Sequence, residues 1–182
     1  MSKKGKPSIK KVKAKKPSGY TKVTFKPDFA RFNMNDGLDD DIIAMIRRRA
    51  FDMAGTTPKD VKVTLDGTVL PIKDFKSYCD IYLPSKEECE LQSIPEKTLY
   101  FESVNERWEV GVTLSQDEEE QHVSFVNSIA TTSGGTHVKM IQKQIADRLA
   151  KFIEKKKKKK VKTHQIKKSL WVFCKSLIVN PK

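Results

Sequence analysis

The chain has 182 residues, of which 37% are hydrophobic and 32% charged, and a formal net charge of +13. That suffices for one domain or slightly more, but no apolar run approaches the ~18 residues of a membrane-spanning helix, and the N-terminus lacks a signal peptide's apolar core. Three dispersed cysteines, Cys79, Cys89 and Cys174, with no C-x-x-C pair, exclude a disulfide scaffold and a zinc module, so the sequence reads as that of a soluble, intracellular protein.

The charge is segregated. Residues 1–26 carry ten lysines and no acid, residues 151–182 carry twelve lysines against Glu154, and residues 27–150 carry fourteen basic and twenty-two acidic side chains. An acidic body between two basic ends offers two local patches to a polyanion.

Residues 1–19, low-complexity Lys, Pro, Ser and Gly, read as a disordered arm. The alternating, β-branched "YTKVTF" from Tyr20 to Phe25 predicts a strand, ended by Pro27. Asp39 to Asp41 open a helix whose positive end suits carboxylates, with Ile42, Ile46, Ala50 and Met53 as its apolar stripe and Gly55 as its C-cap. "VKVTLDGTVLPI" (61–72) predicts a hairpin turning at Asp66-Gly67.

Residues 74–83 read as a short helix or irregular chain, and residues 84–97 as a charged loop. Alternation resumes over 98–114, with Trp108, Val110, Val112 and Leu114 on one face. Acidic residues 115–120 form a turn, and "QHVSFVNSIAT" (121–131) is the next strand. Two helices follow: Val138, Ile141, Ile145, Leu149 and Phe152 recur at helical spacing, and so do Ile166, Leu170, Phe173, Leu177 and Ile178. Six consecutive lysines, Lys155 to Lys160, connect them.

Few residues offer chemistry. The "SGGTHV" stretch (133–138) is too short for a phosphate loop and lacks its Lys-Ser/Thr pair. It reads as a tight turn into a helix capped by Thr136, with His137 as a local hydrogen-bonding residue. His122, His137 and His164 are scattered, so no metal site is assigned. Asp117 to Glu120 read as a solvated turn, and Trp108 and Trp171 as core. No catalytic residue can be defended. The lysine run is the one strong chemical signal, because lysine neutralises phosphates without reading bases. Contacts by three of its members would give a salt slope of about −2.7 on duplex DNA.

"RWEV" (107–110), "VSFVNSIATTSGGTHV" (123–138), the lysine run and "LWVF" (170–173), with "TKVTFKPD" (21–28) and "LDDDII" (38–43), resemble eukaryotic DNA topoisomerase II in order and spacing. The family is the ATP-hydrolysing type IIA class, and the resemblance runs from about Tyr20 to Pro181. It implies three parts: a disordered arm over 1–19, the C-terminal strand and helix of a GHKL ATP-binding domain over 20–55, and a transducer domain over 56–182. The implied fold is α/β, a two-layer transducer with a mainly antiparallel sheet, helices on one face and a left-handed βαβ crossover.

The resemblance implies that this segment couples the ATP gate to a cleavage core in an enzyme that passes one duplex through a break in another. It places the DNA-contacting lysines on Lys155, Lys156 and Lys157. The implied cofactors, ATP and Mg, belong to the full enzyme, with none bound by this chain, and the chain alone is expected to be inactive. Implied partners are non-specific duplex DNA and a second subunit of the full enzyme, with no membrane, in the nucleus. The family's nucleotide-binding Asn, Gly-rich lid and general base fall before Met1, and its switch-lysine loop falls after Lys182, which does not hold that role. Two departures stand inside the match: "EEEQH" (118–122) replaces an aromatic-Gln-Gln segment, and Lys139 and Met140 follow "THV" where Asp or Asn and an aromatic are usual. The alternative is a non-enzymatic, basic-tailed RNA- or DNA-binding module resembling a ribosomal protein.

Overall fold

The computed structural model describes residues 19–34, 36–93, 95–96, 98–115 and 119–181. The chain divides into two compact units, Met1–Asp39 and Asp40–Lys182. Apart from Gly19, the arm expected over 1–19 lies outside the described residues.

In the first unit, residues 20–25 do not form the expected strand, and Tyr20, Val23 and Phe25 are exposed. An alternating sequence only fits a pleated surface; the strand itself needs a neighbour for its N–H and C=O groups, and among the described residues none pairs with it. A single 3-10 turn, Phe29–Phe32, follows and closes on Asn33 in the left-handed region, at φ 55°.

The second unit opens with α1, Asp40–Thr56, with Asp40 and Asp41 in its first turn as the dipole favours. Only its last turns are buried, at Asp52, Ala54, Gly55 and Thr56. Gly55 is not a C-cap but lies inside the helix against Tyr78, where an added Cβ would come within 2.5 Å of Tyr78 Cγ. The glycine therefore sets how closely α1 approaches its neighbour rather than how it ends.

The expected hairpin forms as β1, Thr64–Leu65, and β2, Thr68–Val69. Asp66 and Gly67 both take positive φ, 49° and 84°, as a two-residue hairpin turn requires. Next comes α2, Phe75–Asp80, closed at its start by a capping box between Asp74 and Ser77. Residues 84–97 are not only loop: α3, Lys86–Gln92, starts on a second capping box, Ser85 with Glu88. The S-x-x-E signature of that box stands in the sequence.

A five-stranded sheet in the order β3-β4-β7-β5-β6 carries the rest. Its strands are β3, Tyr100–Asn105; β4, Trp108–Leu114; β5, Gln121–Val126; β6, Ile129–Ala130; and β7, Leu170–Ser176. Residues 121–131, expected as one strand, are two: β5 turns through Asn127 and Ser128, at φ 50° and 63°, into β6. Of the turn expected over 115–120, residues 116–118 lie outside the described residues.

The largest correction concerns residues 170–178, expected as helix. They are mostly β7, which pairs antiparallel with β4 and parallel with β5. A continuous apolar run satisfies a helical period and a buried strand equally well. "LWVFC" is rich in aromatic and β-branched residues and is buried on both faces, as a central strand demands.

The connection from β5 to β7 runs through β6, α4, Thr136–Lys157, and α5, Thr163–Lys168. The α/β class and the mainly antiparallel sheet stand. Helices α4 and α5 share one face of the sheet. They bury Ile141, Ala146 and Ile166 against Leu170, Val172 and Cys174, with Trp108, Val110 and Val112 packed alongside. On the opposite face α1 and α2 bury Ala54, Phe75 and Tyr78 against Phe125 and Phe173. The alternation of β7 feeds both cores.

Candidate nucleic-acid interface

The lysine run hangs from α4, so its position depends on how α4 is anchored. The chain enters the helix through Gly134, at φ 71°, and Gly135, the N-cap. Thr136 is the first helical residue and makes no side-chain cap, contrary to the sequence expectation. His137 is the expected local partner: its Nε2 lies 3.3 Å from Thr131 Oγ1, and Thr131 Oγ1 lies 2.6 Å from Ser124 Oγ. Burial, then the neighbouring His122, holds the His137 imidazole below its ordinary pKa.

Two imidazoles crowd this entrance. The space a Cβ would take at Gly134 faces His122 Nε2 at 3.1 Å, and at Gly135 it faces His137 Nδ1 at 2.7 Å. Imidazoles thus occupy the side-chain face of both glycines. Among the described residues no group of three or more His, Cys, Asp or Glu side chains could hold a metal ion. Both tryptophans pack: Trp108 against the α4 cluster and Trp171 against Phe173, with ring centres 5.1 Å apart.

From its entrance α4 runs for 22 residues, a rod of about 33 Å. Val138, Ile141, Gln142 and Ala146 seat it on the sheet. Its last turn holds Lys155, Lys156 and Lys157, all exposed, where a helix dipole favours cations. Successive helical residues are turned by about 100°, so the three side chains fan out instead of sharing one direction. Lys158 ends the helix in the left-handed region, at φ 52°, and its N–H donates to the Glu154 carbonyl. Lys159 and Lys160 belong to the connection that leads to α5, whose last turn adds Lys167 and Lys168. The run therefore joins two helices, as the sequence implied.

Two side chains missed in the sequence also shape this tip. Lys156 Nζ lies 5.2 Å from the centre of the Phe152 ring, and Lys160 Nζ lies 3.8 Å from Glu154 Oε1. The i,i+4 spacing of Phe152 and Lys156 was the available signal for the first. A connection that must reverse direction first gave none for the second.

A family model described as DNA gyrase B matches residues 74–182. The chain is 46% identical over 183 residues to "DNA topoisomerase 2" of Arabidopsis thaliana, covering 100% of this chain and 12% of that protein. It is 45% identical over 177 residues to "DNA topoisomerase 2" of Saccharomyces cerevisiae, covering 92% and 12% respectively. The chain thus spans about an eighth of the length of these curated relatives. Its fold is similar to the crystal structure of the ATPase region of Saccharomyces cerevisiae topoisomerase II, with a TM-score of 0.72 and 42% identity over 87% of this chain and 37% of that one. The ATPase and transducer domains of DNA topoisomerase II from Balamuthia mandrillaris give 0.70 and 33% over 86% and 37%. The reading as a basic-tailed RNA- or DNA-binding module gains nothing from these likenesses. Because the family match begins at the cap of α2, runs through β7 and takes in more than half of the residues, the chain belongs to the DNA gyrase B family.

Proposed function

We propose that this chain is a segment of an ATP-dependent type II DNA topoisomerase, coupling the state of the ATP gate to the cleavage core and touching the transported duplex through Lys155, Lys156 and Lys157. Residues 20–55 would form the end of the ATP-binding domain and residues 56–182 the transducer. ATP and Mg would be held elsewhere in the whole enzyme, which would act as a homodimer in the nucleus.

The observation that carries the DNA contact is the placement of the lysines. They stand on the exposed last turn of a 22-residue helix whose other end is seated in the sheet, so charge is presented at the end of a rigid element and not on a free tail. Lysine meets phosphates as a point charge without reading bases, so the contact is independent of sequence. The same rod gives a mechanical link: displacement of the sheet moves the lysine tip. Support for the enzyme assignment comes from relatives named DNA topoisomerase 2 and from the likeness to a topoisomerase II ATPase region.

Titrating the chain with a mixed-sequence duplex over a salt series tests the contact. Replacing Lys155, Lys156 and Lys157 together by Ala should weaken binding and flatten the plot of log affinity against log salt by about 2.7. Unchanged affinity and slope would remove the site.

A further inference from the structure

The lysine run is not a uniform row of charges. Phe152 stands one helical turn before Lys156 and is 57% exposed, too far into solvent to serve the core, yet its ring face carries Lys156 Nζ. Glu154, the one acid among residues 151–182, holds Lys160 instead. The left-handed turn at Lys158 makes this second pairing possible, because it folds the chain back along the helix it has just left. Among the described residues, Lys155 and Lys157 make no ion pair or ring contact. Four of the six lysines thus fall into three conditions: Lys156 held on a ring, Lys160 held on a carboxylate, and Lys155 and Lys157 free.

We propose that Phe152 and Glu154 are positioning residues that set which lysines meet a phosphodiester backbone. The Phe152 ring fixes Lys156 in a presented conformation, so less rotamer freedom remains to be lost when a phosphate arrives. The Glu154 carboxylate withdraws Lys160 and adds a repulsive charge beside the duplex, so it limits affinity. This inference rests on the lysine loop being a duplex-binding site.

The test is a salt series of duplex titrations on the 182-residue chain, with Phe152→Leu, Phe152→Tyr, Glu154→Gln, Lys156→Ala, the Phe152→Leu/Lys156→Ala double variant and the triple lysine variant. Phe152→Leu should weaken binding about two- to fivefold, as for an exposed cation–π contact. Phe152→Tyr, which keeps the ring, should bind like the parent. Phe152→Leu should add nothing on top of Lys156→Ala. Glu154→Gln should tighten binding and steepen the salt slope by up to about 0.9, one phosphate contact. Both side chains are exposed, so helix content by circular dichroism should be constant across the series. If the triple lysine variant binds like the parent, the duplex site itself is lost. If that variant weakens as expected while Phe152→Leu and Glu154→Gln both match the parent, positioning alone is overturned. If only one of the two variants departs from the parent, the half tested by the other is overturned.

Discussion

The Tyr78 hydroxyl donates a 2.7 Å hydrogen bond to a carboxylate oxygen of Asp52, and Asp52 is only 4% exposed. The same hydroxyl accepts from Tyr82 at 2.8 Å. Burial first, then these two contacts, pushes the Tyr78 phenol far above its ordinary range, so it stays a donor. This chain of groups ties α1 to α2 on the face of the sheet opposite α4. Replacing Tyr78 by Phe keeps the ring packing and leaves the buried carboxylate one donor short. Loss of a hydrogen bond to a charged group should cost about 1.5–3 kcal/mol, read as a lowered urea midpoint with unchanged slope.

Gly55 tests the same contact sterically. Its missing side chain is where the Tyr78 ring sits, and ring and helix backbone are both held. Gly55→Ala raises helix propensity by up to about 1 kcal/mol, but overpacking costs about 1–3 kcal/mol. The net should be destabilising despite the better helix former. A more stable Gly55→Ala protein in equilibrium unfolding would show that α1 stands farther from α2 than described.

The cysteines should be chemically silent in the folded protein. Cys79, Cys89 and Cys174 are all free and buried. Burial pushes the Cys174 thiol up to about 12 and the Cys79 thiol higher still, while the thiolate is the reactive form. Labelling of Cys174 by a thiol-specific disulfide reagent should proceed at the rate at which the sheet opens, that of Cys79 and Cys89 at the rate at which α2 and α3 open, and the protection should vanish in denaturant. Rapid labelling of Cys174 in the native protein would contradict its place in the central strand.

His137 gives a pH signature. Its folded pKa lies below the ordinary 6.5 because burial, then His122, disfavours the charged ring. A folded state that binds its proton less readily than the unfolded chain is stabilised above the unfolded value. The contribution is full above about pH 6.5 and is lost as pH falls through the lowered folded value. Stability of the parent should therefore fall on acidification below about 6.5, and His137→Gln should make that fall shallower. Equal slopes for the two proteins would remove His137 as a source.

How far the sequence carried this description depends on what each signal measures. α1, the Asp66-Gly67 hairpin and α4 were legible because period and turn chemistry are local. β7 was misread because Leu170 to Cys174 is apolar without interruption, and such a run has no phase; only pairing with β4 and β5 decides it. The strand expected at Tyr20–Phe25 failed for the complementary reason, since among the described residues its alternation had no partner to pair with. α3 carried its own start signal in Ser85 and Glu88, which the surrounding charge obscured. At the candidate site the lysines were plain. Their separation into different conditions was not, because a homopolymer has no register until Lys158 ends the helix.

The position of β7 has a consequence for synthesis. It occupies the middle of the sheet, yet of the five described strands it is the last in chain order: β5 ends at Val126 and β7 begins at Leu170. Until β7 is made, β4 and β5 have no common neighbour, and the helices that cover the two faces have no central strand to pack upon. The β3–β4 and β5–β6 hairpins can form early as local pairs, but these two halves of the sheet join only when β7 arrives. Nascent chains stalled before Leu170 should therefore be cut readily by protease, and those released beyond Ser176 should resist.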